Sequence, residues 1–193
     1  MGDTGFDFQK FINDTKDVLT SPKNYFASMQ KTGGFIDPII RAAIYGFIAG
    51  IFSFMWGFLH FSALWAFGGG VGITSIIVFP IFAVIGLFIG SVIILIISAI
   101  CGGSTDFEAN VRVTASLMVL YPIQALLVFT SGISIYLGAV ALLLVSLYGI
   151  WLCFNALVKA LSAKESTAKV IMIIFAIFPI LGIINTLTCH HMP

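Results

Sequence analysis

The chain has 193 residues, of which 60% are hydrophobic and only 9% charged, with a formal net charge of +1. Soluble globular domains carry about 25% charged residues, and a nucleic-acid surface needs concentrated basic charge. Both classes are excluded, which leaves the lipid bilayer as the expected surroundings and no nucleic acid among the expected partners.

In chain order, residues 1–38 read as a cytoplasmic amphipathic segment and residues 39–193 as an all-α, polytopic five-helix transmembrane domain. Phe8, Phe11, Ile12, Thr15, Val18 and Leu19 recur at spacings of three and four, opposite Asp3, Asp7, Lys10, Asp14 and Asp17. That pattern is an amphipathic helix ending near Thr20. Its apolar stripe either docks on the bundle's own mouth or lies on lipid or a partner, with Phe8 and Phe11 as candidate interaction residues. Ser21-Pro22 then reads as an N-cap followed by proline at the first helical position, opening a short helix that stops at Gly33-Gly34. No cleavable signal sequence is read, because the long apolar runs begin only near Ile39.

From Ala42 to Thr105 there is no formal charge, and two further uncharged stretches follow, Val113 to Val158 and Val170 to the C-terminus. An ionised residue at mid-bilayer costs about 2.5 to 3.5 kcal/mol on insertion scales. Divided by the ~20 residues that span hydrocarbon, the stretches give five spans: 42–64, 73–100, 113–129, 135–157 and 170–187. All nine Lys and Arg residues fall before the first span, in the second connection or in the fourth. By the positive-inside rule the N-terminus is cytoplasmic and the C-terminus lies on the other side. In this arrangement Trp56, Trp65 and Tyr136 fall toward the outer interface, and Tyr45, Tyr148 and Trp151 toward the inner one.

Small residues at four-residue spacing, Gly46-x-x-x-Gly50 in the first span and Gly86-x-x-x-Gly90 in the second, let backbones approach closely. They predict intramolecular seams, with a homo-oligomer contact as the alternative. Pro80, Pro122 and Pro179 each sit in an aromatic-Pro-Ile tripeptide and invite kinks. The length of the second span suggests that Ile73 to Phe79 is a separate segment ahead of Pro80. Polar intramembrane candidates are His60, Gln124, Asn155 and Asn185. Gln124 lies deepest and is expected to find an interhelical partner, since an unpaired amide in hydrocarbon is costly.

The second connection, Cys101 to Arg112, is the most site-like exposed segment. Thr105 and Glu108 stand at capping-box spacing and Glu108 and Arg112 at ion-pair spacing, so Asp106, Glu108 and Arg112 are candidates for a cytoplasmic interaction face. Cys101 is expected to label from the cytoplasmic side. No cofactor is implied. The three cysteines have no metal spacing, and Cys189-His190-His191-Met192 reads as a tail rather than a metal site. No span carries a central carboxylate or cation, and no catalytic motif is present. These features indicate no enzyme and no ion-coupled transporter.

Ser21-Pro22 followed by Tyr25-Phe26, Met29, Gly33-Gly34 and Pro38, and the Gly102-Gly103 turn leading through Phe107 and Arg112-Val113 to Tyr121-Pro122, resemble bacterial members of the Yip (Ypt-interacting protein) domain family over residues 20 to 187. The resemblance implies five spans and a cytoplasmic N-terminus. Eukaryotic relatives are associated with Rab GTPases and with traffic between endoplasmic reticulum and Golgi through a long N-terminal region. Here that region is only residues 1 to 41, which points to a prokaryotic inner membrane, with an endoplasmic reticulum or Golgi membrane as the alternative. The expected role is a non-enzymatic scaffold or adaptor facing a cytoplasmic protein or membrane partner. A channel, lipid-handling protein or uncoupled transporter built on the proline-broken helices is the rival.

Overall fold

The computed structural model describes residues 6–59 and 73–189, with side chains described as far as residue 184. His60, Trp65, the side chains of Asn185 and Cys189, and His190-His191-Met192 lie outside the described residues. Helices α1 (Phe8–Thr20) and α2 (Pro22–Ser28) precede α3 (Ile36–Phe58) and α4 (Thr74–Ile100). A broken third span follows as α5 (Phe107–Leu117), α6 (Leu120–Leu127) and α7 (Phe129–Ile133); then come α8 (Ile135–Asn155), a π-helical turn (Ala156–Ala160) and α9 (Glu165–Cys189). Five helices or joined helices are long and apolar enough to cross a membrane. No strand occurs among the described residues.

The polar ends of the spans are longer than hydropathy alone implies. The first helix starts at Ile36 rather than Ala42, the third at Phe107 rather than Val113, and the fifth at Glu165 rather than Val170. These added turns carry Asp37, Arg41, Glu108, Arg112 and Lys169, so charge enters the span helices at one end of the bundle. Conversely, α2 stops at Ser28, with Met29 already extended, short of the glycine pair. Gly33 and Gly34 instead form a turn at φ +124° and +84°, a region in which a side chain is strained.

Proline acts differently at each site. Pro80 lies inside a continuous α4, so the expected separate segment before it does not form. There α3 lies close: a Cβ on Gly46 would meet Phe79 O and Pro80 Cα at 2.8 Å, and one on Gly50 would meet Ser75 O at 2.8 Å. The Ser75 hydroxyl donates to Gly50 O across the seam at 3.2 Å. The third span, by contrast, breaks. Pro122 has no N–H for Met118 O, which accepts from Tyr121 N at 2.9 Å, and the helix restarts at Leu120. Pro179 leaves α9 unbroken.

Of the two glycine pairs only the first is a close seam. Gly86 has no atom within contact range of a Cβ, and Gly90 meets only the Thr114 methyl, at 3.1 Å. Around α3 and α4 pack α5 and α6; α8 packs on α6, α7 and α9; and α9 rests mainly on α8. The core lies toward the charged end, where Phe26, Leu152, Leu157 and Leu161 are fully enclosed.

Candidate functional site at the charged end

Each piece of this end is fixed by short-range chemistry. Asp7 caps α1 by accepting from Lys10 N at 2.9 Å. At the start of α5 the cap is Asp106, which accepts from Ala109 N at 2.8 Å, and not Thr105. Glu108 is thereby released from the expected capping box and turns to the Gly33-Gly34 turn. Its Oε1 accepts from Gly34 N at 2.6 Å, while Arg112 Nη2 donates to Gly34 O at 2.9 Å. Glu108 and Arg112 do pair at i,i+4, at 3.4 Å. A Cβ on Gly33 would lie 2.9 Å from Arg112 Nη2. The glycine pair is therefore required for the turn and for the approach of the guanidinium.

Arg41, in the second turn of α3, is 6% exposed and reaches in two directions. Its Nη2 binds Asp14 of α1 at 2.6 Å and its Nε binds Asp37 at 2.9 Å. Its guanidinium carbon stands 5.9 Å from the centre of the Phe11 ring, at cation–π range. Arg112, 9% exposed, has Nη1 3.9 Å from the same Asp37 oxygen. Asp37 therefore stands between two buried arginines, and the network joins α1, the glycine turn, α3 and α5.

Three tyrosines complete the closure. Tyr45 and Thr15 share a hydroxyl hydrogen bond at 2.8 Å, Tyr25 and Ser116 one at 2.9 Å, and Tyr148 donates to Leu19 O at 2.6 Å. Burial pushes the Tyr25 phenol above its usual value, against the opposing effect of its Ser116 hydrogen bond. Tyr45 and Tyr148 thus hold α1 at the charged end. At the other end Trp56 likewise turns inward, donating to Ala125 O at 3.1 Å and packing on Phe129.

The connections behind the network are clasped together. Ser104 N donates to Leu161 O at 2.7 Å and Lys164 N to Cys101 O at 2.9 Å. Gly102, at φ +67°, ends α4 with Gly103 N bonded back to Ser98 O at 2.8 Å, a Schellman closure. Asn110 is fully buried, donating to Asp106 O at 2.6 Å and Ser104 O at 3.3 Å; its Oδ1 is the one enclosed side-chain acceptor without a partner among the described residues. Cys101 is enclosed at 1% exposure, and burial raises its thiol pKa. The expectation that it labels from the adjoining solvent is overturned, because the clasp covers it.

Under α1 and α2 lies a chamber of about 450 Å3, lined by Lys10, Asp14, Asp17, Ser21, Asn24, Tyr25, Ser28, Gln30, Asp37, Arg41, Arg112 and Ser116 among others. The structure thus gathers Phe11, Arg112 and Glu108 into one packed network with Arg41, Asp14 and Asp37. Asp106 caps α5 beside it, and Phe8 remains outside at 60% exposure. Asn155, buried, donates within its own helix to Trp151 O at 2.8 Å. Gln124 has no side-chain hydrogen bond among the described residues. In place of the expected interhelical partner, Gln124 lines two open, mainly apolar clefts.

Sequence reasoning missed the pairing of Arg41 with Asp14 and Asp37 and the contacts of the glycine turn with Glu108 and Arg112. Asp37 and Arg41 stand at i,i+4 spacing just before the uncharged run, which was the available signal. The family model of the Yip1 domain matches residues 16–185. No curated protein and no solved structure matches the chain.

Proposed function

Because the chain belongs to the Yip1 domain family and is a multi-pass membrane protein of that type, we propose that it acts as a non-enzymatic scaffold whose N-terminal helices and second connection form a platform on the cytoplasmic face of a prokaryotic inner membrane. The observation that supports this reading is the gathering of buried ion pairs, tyrosine ties and clasped connections at one end of an otherwise apolar bundle. All nine basic residues lie at that end, and the positive-inside rule orients it to the cytoplasm. A protein that binds on this face would meet a fixed surface, because α1 is tied down through Asp14, Thr15 and Leu19. Phe8 and Ile12 remain uncovered on α1, with Phe35, Ile36 and Phe107 exposed nearby on the span entries. These apolar side chains suit a protein partner or the headgroup layer.

Residue-specific cross-linking in native membranes tests the platform. A photo-reactive group at Phe107 should capture one defined partner set that is lost when Phe8→Glu is added, whereas identical sets with and without Phe8→Glu overturn the reading. The channel or lipid-handling reading draws support from the clefts of about 380 and 370 Å3 beside Gln124, one of them lined by Pro179. Ion flux or lipid flip in proteoliposomes above that of empty vesicles would favour it over the scaffold.

A further inference from the structure

The chamber holds hydrogen-bond donors and a carboxylate that the described residues leave without partners, although the two arginines that carry the donors are ion-paired. Arg41 uses Nε and Nη2, and Arg112 uses Nε and Nη2, so each buried guanidinium keeps an Nη1 without a hydrogen-bond acceptor among the described residues. Arg112 Nη1 has only the 3.9 Å approach of Asp37, beyond hydrogen-bond distance. At the rim, the exposed Asp17 carboxylate makes no hydrogen bond or ion pair, although it lines the same space. Guanidinium donors at fixed angles suit a phosphate oxygen, and a free carboxylate suits an ammonium with its three donors. The lining carries Lys10, Arg41 and Arg112 against Asp14, Asp17 and Asp37, so its charges balance. A bare polyanion would upset that balance, whereas a ligand carrying both charges would keep it. A volume of about 450 Å3 lies within the ~300–1,000 Å3 range of small-ligand sites.

We propose that this chamber is a binding site for a zwitterionic phosphodiester bearing a primary ammonium, the chemistry of an aminophospholipid headgroup. The phosphate takes the two Nη1 donors on the inner wall, and the ammonium takes Asp17 at the rim. The site stands independently of the scaffold reading, since it needs no protein partner.

Binding to the full chain distinguishes the sources of that chemistry. Purified protein in detergent is titrated with glycerophosphoethanolamine, glycerophosphocholine and inorganic phosphate, and protein in nanodiscs is presented with phosphatidylethanolamine against phosphatidylcholine and phosphatidylglycerol. Saturable binding of the ethanolamine compound, as the free headgroup or only as the lipid, with weaker binding of its choline counterpart, supports the proposal and identifies the source. A choline ammonium has no N–H to donate to Asp17. Asp17→Asn removes a charge from an exposed side chain that holds nothing in place, and should weaken ethanolamine binding about two- to fivefold with unchanged melting. Arg112→Lys, which keeps the charge but loses the planar fork, should weaken it more; if that variant fails to fold, Asp17→Asn alone decides. Inorganic phosphate, the choline compound or phosphatidylglycerol binding as tightly as the ethanolamine compound, no saturable binding, or indifference to Asp17→Asn overturns it.

Discussion

Arg41 concentrates the energetics of the charged end in one side chain. Two carboxylates, Asp14 from α1 and Asp37 from its own helix, meet a guanidinium that is almost wholly out of solvent. Taking such a group out of water is costly, and the pair offsets the cost only while both partners remain. Arg41→Ala leaves Asp14 without its cation and Asp37 with only the 3.9 Å approach of Arg112, so a loss of about 3–5 kcal/mol is expected. It should appear as a large drop in the melting temperature of detergent-purified protein. The exposed Lys169–Glu165 pair, at 2.7 Å, is the control: solvent screens it, and Lys169→Ala should leave melting unchanged. Comparable drops for the two variants would contradict the account of the buried network. None of this was legible in composition, because burial of a charge depends on tertiary contact between residues as distant as Asp14 and Arg41. The Glu108–Arg112 pair was legible, being local, yet its orientation toward Gly34 was not.

At the level of elements, small-residue spacing marks a close helix seam only where a second backbone is present to meet it. Gly46-x-x-x-Gly50 and Gly86-x-x-x-Gly90 look alike in sequence, and only the first lies against backbone atoms of a neighbouring helix. Gly46→Leu should therefore force α3 away from Phe79 and Pro80 of α4, at a cost of about 1–3 kcal/mol or more, while Gly86→Leu should be tolerated. Heating the two variants in detergent and following the folded peak by size exclusion separates them; equal loss from Gly86→Leu would mean that α4 has a seam on its other face. Proline shows the same limit of sequence reading. The three aromatic-Pro-Ile tripeptides are nearly identical, but α4 and α9 run through theirs and only the third span breaks. A missing N–H is local, whereas the backbone's response depends on what packs there. Helix existence and the odd span count were readable because they follow from apolar length, while the helices begin before the apolar windows because charged turns, buried at Arg41 and Arg112 and exposed at Glu165 and Lys169, continue them.

Across the whole molecule, charge and topology reinforce each other. The N-terminal helices, the 101–106 connection and the 161–164 connection meet at one end through direct backbone and side-chain bonds, which an odd number of crossings permits with the C-terminus at the opposite end. Cys101 cannot report on this arrangement, since its thiol is enclosed by the clasp in the folded state. Single cysteines at exposed positions can. With Cys101, Cys153 and Cys189 replaced by Ser, Lys23→Cys on α2 and Lys164→Cys on the fourth connection should react with a membrane-impermeant maleimide from the cytoplasmic side only. Ile73→Cys, 70% exposed at the far end of α4, should react from the other side only. Each Lys-to-Cys variant keeps eight of the chain's nine basic residues in place, enough for the positive-inside bias to persist. Labelling of Lys23→Cys from the outer side would break the link between the charged end and the cytoplasm, and labelling of Lys23→Cys and Ile73→Cys from a shared side would break the topology; either removes the placement of the platform. Labelling of Lys23→Cys from the cytoplasmic side and Ile73→Cys from the other would leave the chamber opening where a cytoplasmic partner and the inner-leaflet headgroups are both within reach.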